Sequence, residues 1–277
     1  MSSSNDGWTA TAGLADSVTI EHRAEELPKV AITVVDRPAT TPQNGAAPRA
    51  SAETVDPAND TARFGFDYVH PGFKCKQVGY IGLKRLFDIA SALILLTLLS
   101  PILLIAAIAI KISSRGPILF KQVRVGRGGR FFWCYKLRSM CVDAEDRRST
   151  LHHLNEVTGP VFKIKHDPRM TPVGRMLRKF SLDETPQLYN ILKGDMSLVG
   201  PRPPIPDEVA HYSEYERGRL AVRPGLTCLW QVSGRSDIPF ERWVELDLIY
   251  IDTMSFANDL KICLKTIPAV LSGSGAY

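Results

Sequence analysis

Asp183 and Glu184 stand side by side in Ser181-Leu182-Asp183-Glu184-Thr185-Pro186-Gln187, and Arg202 follows, locked between prolines, in Gly200-Pro201-Arg202-Pro203. A carboxylate can attack phosphorus and form an acyl-phosphate, which splits one difficult transfer into two easier ones. Attack by an anion on an anion requires neutralisation, by arginines and usually by Mg²⁺. Mg²⁺ takes one or two protein carboxylates and completes its shell with substrate oxygens and water. Acidic residues in a helix's first turn are also common as simple complements to the helix dipole. The surrounding cations favour the chemical reading: Arg175, Arg178 and Lys179 lie just upstream, and Arg202 lies within folding-back distance. The prolines on both sides of Arg202 reduce the entropy lost on fixing its guanidinium. Lys136-Leu137-Arg138-Ser139-Met140 adds two more cations and a hydroxyl at the end of a β-prone run, a frequent position for binding residues.

The elements that must position these groups can be read from punctuation and periodicity. Thr171–Phe180 predicts a short amphipathic helix. Asp183–Lys193 predicts a second, stopped by Gly194, with Ser181 and Glu184 in capping-box register and Pro186 in the first turn. Ile118–Val125 and Arg130–Leu137 flank Gly126-Arg127-Gly128-Gly129 and predict a β-hairpin. Asp143–Asn155 reads as polar and helical. His152 and His153 within it point to different faces of a helix, which disfavours a metal site. Phe240–Tyr250 and Asn258–Leu271 predict C-terminal amphipathic helices, with apolar faces suited either to a membrane interface or to the core.

Leu86–Ile110 is apolar almost throughout, apart from Asp88. Its 25 residues, at about 1.5 Å each, would span a bilayer as a straight helix. Ser100-Pro101 interrupts the middle, and proline removes a backbone donor and kinks a helix. Lys74, Lys76, Lys84 and Arg85 precede the run, and Lys111, Arg115 and Lys121 follow it. Basic flanks at both ends place both on the cytoplasmic side. The sequence therefore predicts a re-entrant helix-break-helix hairpin over about 84–113, with the break at Ser100 and Pro101. Asp88 is expected to pair with Lys84 or Arg85. A kinked single span is the alternative.

Residues 1–72 hold 10 Asp/Glu against 5 Lys/Arg, whereas residues 73–277 hold 19 against 29. The first segment reads as a disordered acidic extension, with Val30–Val35 as a short strand or binding motif, and the second as a basic domain suited to anionic partners. Met1–Asp6 lacks the charged and apolar regions of a cleavable signal peptide. Five cysteines with no C-x-x-C pair favour reduced thiols over disulfides or a metal site. The fold class expected is α+β, mostly helical: a monotopic membrane protein with the re-entrant hairpin, the short β-hairpin and amphipathic interfacial helices.

These blocks in this order resemble the bacterial sugar transferases, the monotopic phosphoglycosyl transferases, over about 84–277. The matching motifs are Lys84-Arg85-x-x-Asp88, Ser100-Pro101, Lys136-x-Arg138-Ser139-Met140, Thr171-x-x-Gly174-x-x-x-Arg178, the Ser181–Gln187 block, Gly194–Pro203, and Arg223-Pro224-Gly225-Leu226-Thr227 followed by Trp230–Arg235. Cys228 stands where the family often has glycine.

The resemblance implies transfer of a sugar-1-phosphate from a UDP-sugar, UDP-glucose or UDP-galactose, to undecaprenyl phosphate with release of UMP. It implies a covalent aspartyl-phosphosugar intermediate at the initiating step of exopolysaccharide synthesis, on the cytoplasmic face of the bacterial inner membrane. Asp183 would be the nucleophile. Glu184 would position Mg²⁺ or act as a base, with Asp183 and Glu184 both near the metal. Arg178 and Arg202 would hold phosphates. Lys136, Arg138, Arg223 and Arg235 would contact nucleotide or headgroup. The implied partners are the UDP-sugar, the polyprenyl phosphate and inner-membrane lipid, with a homo-oligomer left open. A non-catalytic membrane adaptor of a polysaccharide assembly complex is the competing reading. A nucleic-acid binder fits the basic domain but not the apolar run, and aromatics do not alternate with the cations as stacking platforms do.

Overall fold

The computed structural model describes residues 30–33, 52–55, 78–157, 159–234 and 238–273. Most of the acidic extension, and Arg235, lie outside the described residues. Within the extension, β1 (Val30–Thr33) pairs antiparallel with β2 (Ala52–Val55), where the sequence predicted a strand over Val30–Val35.

The apolar run forms α1, a single helix over Val78–Ser113 with Pro101 inside it. The two separate half-helices expected around Ser100-Pro101 are not distinct elements here. Proline leaves the carbonyl four residues upstream without its usual N–H partner. Here that carbonyl belongs to Thr97, and the Ser100 hydroxyl donates to it at 2.8 Å. A serine beside the proline thus restores the bond that the proline removes.

One stripe of α1 is covered and the rest is open. Before Pro101, Ala92 is fully buried, with Leu95 and Leu96 packed beside it on the main core. After Pro101, Ala106 and Ile110 join Leu137 and Leu177 in a smaller cluster, with Leu103 alongside. Both halves therefore dock on the same body. Leu86, Leu98, Leu104, Ile105 and Ile112 are each more than 60% exposed, so α1 is long and apolar enough to cross a membrane and presents bare hydrocarbon outward.

The first turns of α1 are anchored by charge. Lys84 Nζ lies 2.8 Å from Asp259. Arg85 donates to the carbonyls of Ile191 and Leu192 at 2.6 and 2.9 Å. Asp88 accepts from the Ser197 hydroxyl at 2.8 Å and the Leu198 amide at 2.9 Å. This corrects the expected pairing of Asp88 with Lys84 or Arg85. Neighbours one turn apart along α1 are instead satisfied by separate elements, because each faces a backbone or carboxylate group deeper in the domain.

The predicted hairpin is present: β3 (Leu119–Val125) pairs antiparallel with β4 (Phe131–Leu137) in register Leu119↔Leu137. A 3₁₀ turn at Arg127–Gly129 joins them, with Gly128 and Gly129 at positive φ. A 3₁₀ segment, Asp146–Leu154, occupies most of the predicted polar helix. Helix α2 is Pro172–Lys179 and α3 is Gln187–Lys193, ended by Gly194 at φ +98°. Strand β5 (Ser197–Val199) runs parallel to β6 (Gly225–Thr227). Two short helices, α4 (Pro206–Ala210) and α5 (Glu214–Arg217), lie between them. Helices α6 (Phe240–Asp252) and α7 (Phe256–Ser272) close the described chain.

The main core gathers residues of β3, β4, α3, β5 and α6, with Trp230 and Trp243 stacked at 4.5 Å. The two C-terminal helices divide between the alternatives left open. Trp243, Leu246 and Tyr250 of α6 are buried, so that face belongs to the core. On α7, Leu260, Leu264, Ile267 and Leu271 form an exposed stripe at i, i+4, i+7 and i+11.

Candidate active site

The Asp183–Glu184 pair does not begin a long helix. Leu182–Glu184 is one 3₁₀ turn, Pro186 caps α3, and α3 proper starts at Gln187. The predicted capping box is absent: Ser181 makes no side-chain cap bond and sits at φ +53°, ψ +21°. It is the only described non-glycine residue at positive φ. Left-handed backbone costs a β-substituted residue energy and persists where the surroundings dictate it. Here it turns the chain between α2 and α3 so that consecutive carboxylates diverge, Asp183 inward and Glu184 toward the cleft.

Asp183 is 5% exposed. Arg178 Nε lies 3.9 Å from its Oδ2. Burial, then the neighbouring Glu184 charge, pushes the Asp183 carboxyl up to about 6, against opposing pulls from Lys136 and Arg178. At neutral pH it is therefore ionised yet poorly solvated, a suitable state for a nucleophile. Glu184 goes the other way. Burial alone would raise it, but the Lys136 charge and hydrogen bond, with Arg202 and Arg124 behind them, hold it below the ordinary carboxylate range. Lys136 Nζ is 2.7 Å from Glu184 Oε1. Two adjacent carboxylates with separated proton affinities mark a site with divided roles.

Helix packing places each partner. Asn190 of α3 donates to Trp133 O at 2.6 Å and accepts from Tyr135 N at 3.1 Å, which pins α3 to β4 and brings Lys136, the next residue, over Glu184. Arg178 is held by the Ser139 hydroxyl at 3.0 Å. That contact depends on how closely α2 crosses the end of β4. Thr171 caps α2 by accepting from Gly174 N at 2.9 Å, and a Cβ on Gly174 would overlap the Ser139 carbonyl. Gly174→Ala is expected to push α2 off Ser139, cost about 1–3 kcal/mol of stability by overpacking, and lower turnover by displacing Arg178. Thermal unfolding and initial rates on the same preparation check both.

Arg202 reaches the cleft from the Pro201–Pro204 loop, which is stitched to β3 by Val125 N→Pro204 O at 2.9 Å and by Arg124 donating to Pro203 O at 2.9 Å. Glu208, 2% exposed, holds Arg202 Nη1 at 3.5 Å from each carboxylate oxygen. Glu208 is not among the residues singled out from sequence. Its signal was Pro206-Asp207-Glu208, two acids opening a helix shortly after the Pro-Arg-Pro block. Lys136, Glu184, Arg202, Arg124 and Gln187 line one small cleft.

The other sequence candidates lie elsewhere. Arg138 is buried and donates to Ser114 O and Oγ at 2.8 and 2.9 Å, tying β4 to the exit of α1. Arg223 donates to Gly194 O at 2.9 Å, at the far end of α3 from the carboxylates. Ser100 and Pro101 sit within α1.

The family model for bacterial sugar transferases matches residues 79–273. The chain belongs to this family. The galactosyl transferase CpsE of Streptococcus agalactiae is 44% identical over 213 residues, 76% of this chain and 47% of that protein. The undecaprenyl-phosphate galactose phosphotransferase of Salmonella typhimurium is 42% identical over 199 residues, 70% of this chain and 42% of that protein. The UDP-glucose:undecaprenyl-phosphate glucose-1-phosphate transferase of Caulobacter vibrioides is 42% identical over 219 residues, 76% of this chain and 77% of that protein. The chain thus spans about half or less of the first two. The sugar-transferase resemblance drawn from the motifs is borne out by this membership.

In this sugar transferase the Lys136–Glu184 contact has a consequence for the pH profile. Lys136 lowers the proton affinity of both carboxylates. Lys136→Met is expected to raise both, so the acidic limb of the kcat/KM profile moves to higher pH. A pH series on wild type and variant checks this.

Proposed function

We propose that the protein transfers a sugar-1-phosphate from a UDP-sugar to undecaprenyl phosphate, releasing UMP, as the first step in building a cell-surface polysaccharide. The observation that carries this reading is the divided carboxylate pair: a buried Asp183 faced by Arg178, beside a Glu184 held by Lys136 in a cleft shared with Arg202. The reactions for which the relatives are named, with galactose for one and glucose for another, support a hexose donor.

In the first half-reaction an Asp183 carboxylate oxygen bonds to the β-phosphorus, and the bond from that phosphorus to the bridging oxygen breaks. UMP leaves with the electron pair. In the second, an oxygen of the ionised lipid phosphate bonds to the same phosphorus, and the aspartyl O–P bond breaks to regenerate the carboxylate. No net proton is moved, so neither step requires an acid–base residue. Arg178 and Arg202 oppose the phosphate charge, and Glu208 orients Arg202. The buried floor under Asp183 keeps water from the acyl-phosphate.

Asp183 and Glu184 would hold Mg²⁺. Two adjacent hard-oxygen donors suit the ion, and Lys136 engages only Oε1 of Glu184, which leaves the other oxygen for a ligand role. The ion would offset the diphosphate's negative charge.

We further propose that α1 dips into one leaflet and returns, bent at Pro101. Support comes from the packing of both halves on one body, since a single globular domain cannot hold both ends of a straight span. The exposed stripe of α7 would lie at the same interface. On this reading the domain sits on the cytoplasmic face, as the basic flanks require.

The test is UMP release by purified full-length protein with undecaprenyl phosphate, Mg²⁺ and separate UDP-hexoses. Release with UDP-galactose or UDP-glucose is expected. No release with any donor, from folded protein in lipid, would contradict the reading and favour an adaptor.

A further inference from the structure

The cleft beside the carboxylates holds one polar side chain that the transfer chemistry leaves unused. Gln187 opens α3, is 3% exposed, and lines the cleft with Glu184, Lys136 and Arg202. Its amide makes no hydrogen bond among the described residues. Neither of its polar atoms is sealed in the interior, as the indole nitrogens of Trp230 and Trp243 are. A polar group so deeply placed is normally paired, and the space in front of this one is the cleft. The other amides nearby are occupied. Gln231, on the same wall, accepts from Cys228 N at 3.1 Å, and Asn190 bonds to both Trp133 O and Tyr135 N.

The cleft's other groups decide which kind of atom the amide takes. Lys136, Arg124 and Arg202 are donors only and suit phosphate oxygens, which only accept. Glu184 accepts, but Lys136 holds it at 2.7 Å. Gln187 offers a donor and an acceptor together, and a neutral hydroxyl is the group that uses both.

Position selects the hydroxyl. Thr185 and Pro186 keep right-handed helical backbone between the Asp183 turn and α3. Gln187 therefore stands one turn beyond both carboxylates, with about 5–6 Å between Cβ atoms. A phosphorus attacked by Asp183 carries the sugar on its anomeric oxygen, and the first hydroxyl beyond that oxygen is on the adjoining ring carbon, C2. The ribose lies on the far side of the second phosphate. We propose that Gln187 is a specificity-determining residue that hydrogen-bonds the C2 hydroxyl of the transferred hexose. The inference deepens the transfer reading and rests on it. Glucose and galactose share this hydroxyl, so the contact selects hexoses over 2-deoxy and 2-acetamido sugars and does not choose between the two.

The test is a cycle between residue and substrate. UMP release by full-length wild type and Gln187→Met is measured with undecaprenyl phosphate and Mg²⁺. The donors are the UDP-hexose that is turned over, UDP-glucose or UDP-galactose, and its 2-deoxy counterpart. Wild type should favour the hexose about tenfold in kcat/KM, the worth of one hydrogen bond whose loss leaves an amide unpaired. Gln187→Met should lose about tenfold on the hexose and nothing on the deoxy donor, so its preference vanishes. It should melt no lower than wild type, because no hydrogen bond within the protein is lost.

Equal loss on both donors would assign Gln187 to phosphate, ion or packing, and would overturn the proposal. So would a wild type that does not distinguish the two donors. Should Gln187→Met not fold, Gln187→Asn, which withdraws the amide by one methylene, enters the same comparison with the same outcomes. No UMP from wild type with any donor would overturn the transfer reading and this proposal together, whereas the other failures leave that reading intact.

Discussion

Asp183→Asn is expected to abolish UMP release and, at neutral pH, to make the protein more stable. Loss of a covalent nucleophile typically costs many orders of magnitude, so a fall of at least about 10⁴-fold is expected. The gain in stability follows from burial. The Asp183 carboxyl rises from 3.8 to about 6 in the folded protein. A raised carboxyl binds its proton more tightly when folded than when unfolded, so the folded state is favoured while both are protonated. That advantage is lost as pH rises from 3.8 to about 6, and above this window the cost is complete. At about 1.4 kcal/mol per unit, roughly 3 kcal/mol is stored at neutral pH in keeping this carboxylate ionised. Asparagine keeps the shape without the charge. The wild-type melting temperature should therefore fall more steeply across that window than that of Asp183→Asn, which retains only the slope of other raised carboxyls such as Asp247 and lies higher at neutral pH. Melting curves in detergent at several pH values decide this. An asparagine variant less stable than wild type at neutral pH would mean that Arg178 and Lys136 fully compensate the charge.

The same carboxylate predicts an acidic limit to catalysis. Attack requires the ionised form, so kcat/KM should fall tenfold per unit as pH drops below about 6.

The second large effect lies behind the site. Arg219 donates from Nε to Asp247 at 2.8 Å and from Nη1 to the Tyr212 hydroxyl at 2.8 Å, with both charged side chains at most 2% exposed. Burial has already raised the Asp247 carboxyl to about 6, despite Arg219. Arg219→Met would leave that carboxylate without its cation, and breaking a buried pair from one side costs about 3–5 kcal/mol. Removing both charges in Arg219→Met/Asp247→Leu should recover most of the loss, because the desolvation cost of the pair disappears with it. Chemical denaturation of the two single variants and the double variant closes the cycle. A double variant as unstable as Arg219→Met would show that Tyr212, rather than the ion pair, carries the effect.

How much of this was legible in the sequence depends on the range of the interaction. The β3–β4 hairpin, α2 and the Gly194 stop all follow from glycine turns and periodicity acting locally. The Asp183–Glu184 pair stands out for its chemistry, yet its backbone departs from the expected helix start, because a serine in capping-box register is held left-handed by tertiary packing instead. The proline in α1 predicted a break. Nothing local revealed that the Ser100 hydroxyl would supply the missing bond to Thr97. Lys136 and Glu184 meet across 48 residues of chain and Asp88 and Ser197 across 109. Such pairings are fixed by how elements stack, so charge at one end could be read but not its partner at the other. Glu208 escaped notice for the same reason: an acid in a helix's first turn reads as a dipole complement until the fold places Arg202 against it.

The measurement that tests the central claim most directly is rapid quenching of full-length protein with UDP-hexose and Mg²⁺ in the absence of undecaprenyl phosphate, followed by mass analysis of the peptide that carries Asp183. The covalent mechanism predicts one UMP released per protein and a phosphohexose mass added at Asp183, discharged when undecaprenyl phosphate is supplied. UMP released only once the acceptor is present, with no adduct on any quenched peptide, would contradict it and establish direct transfer between the two substrates.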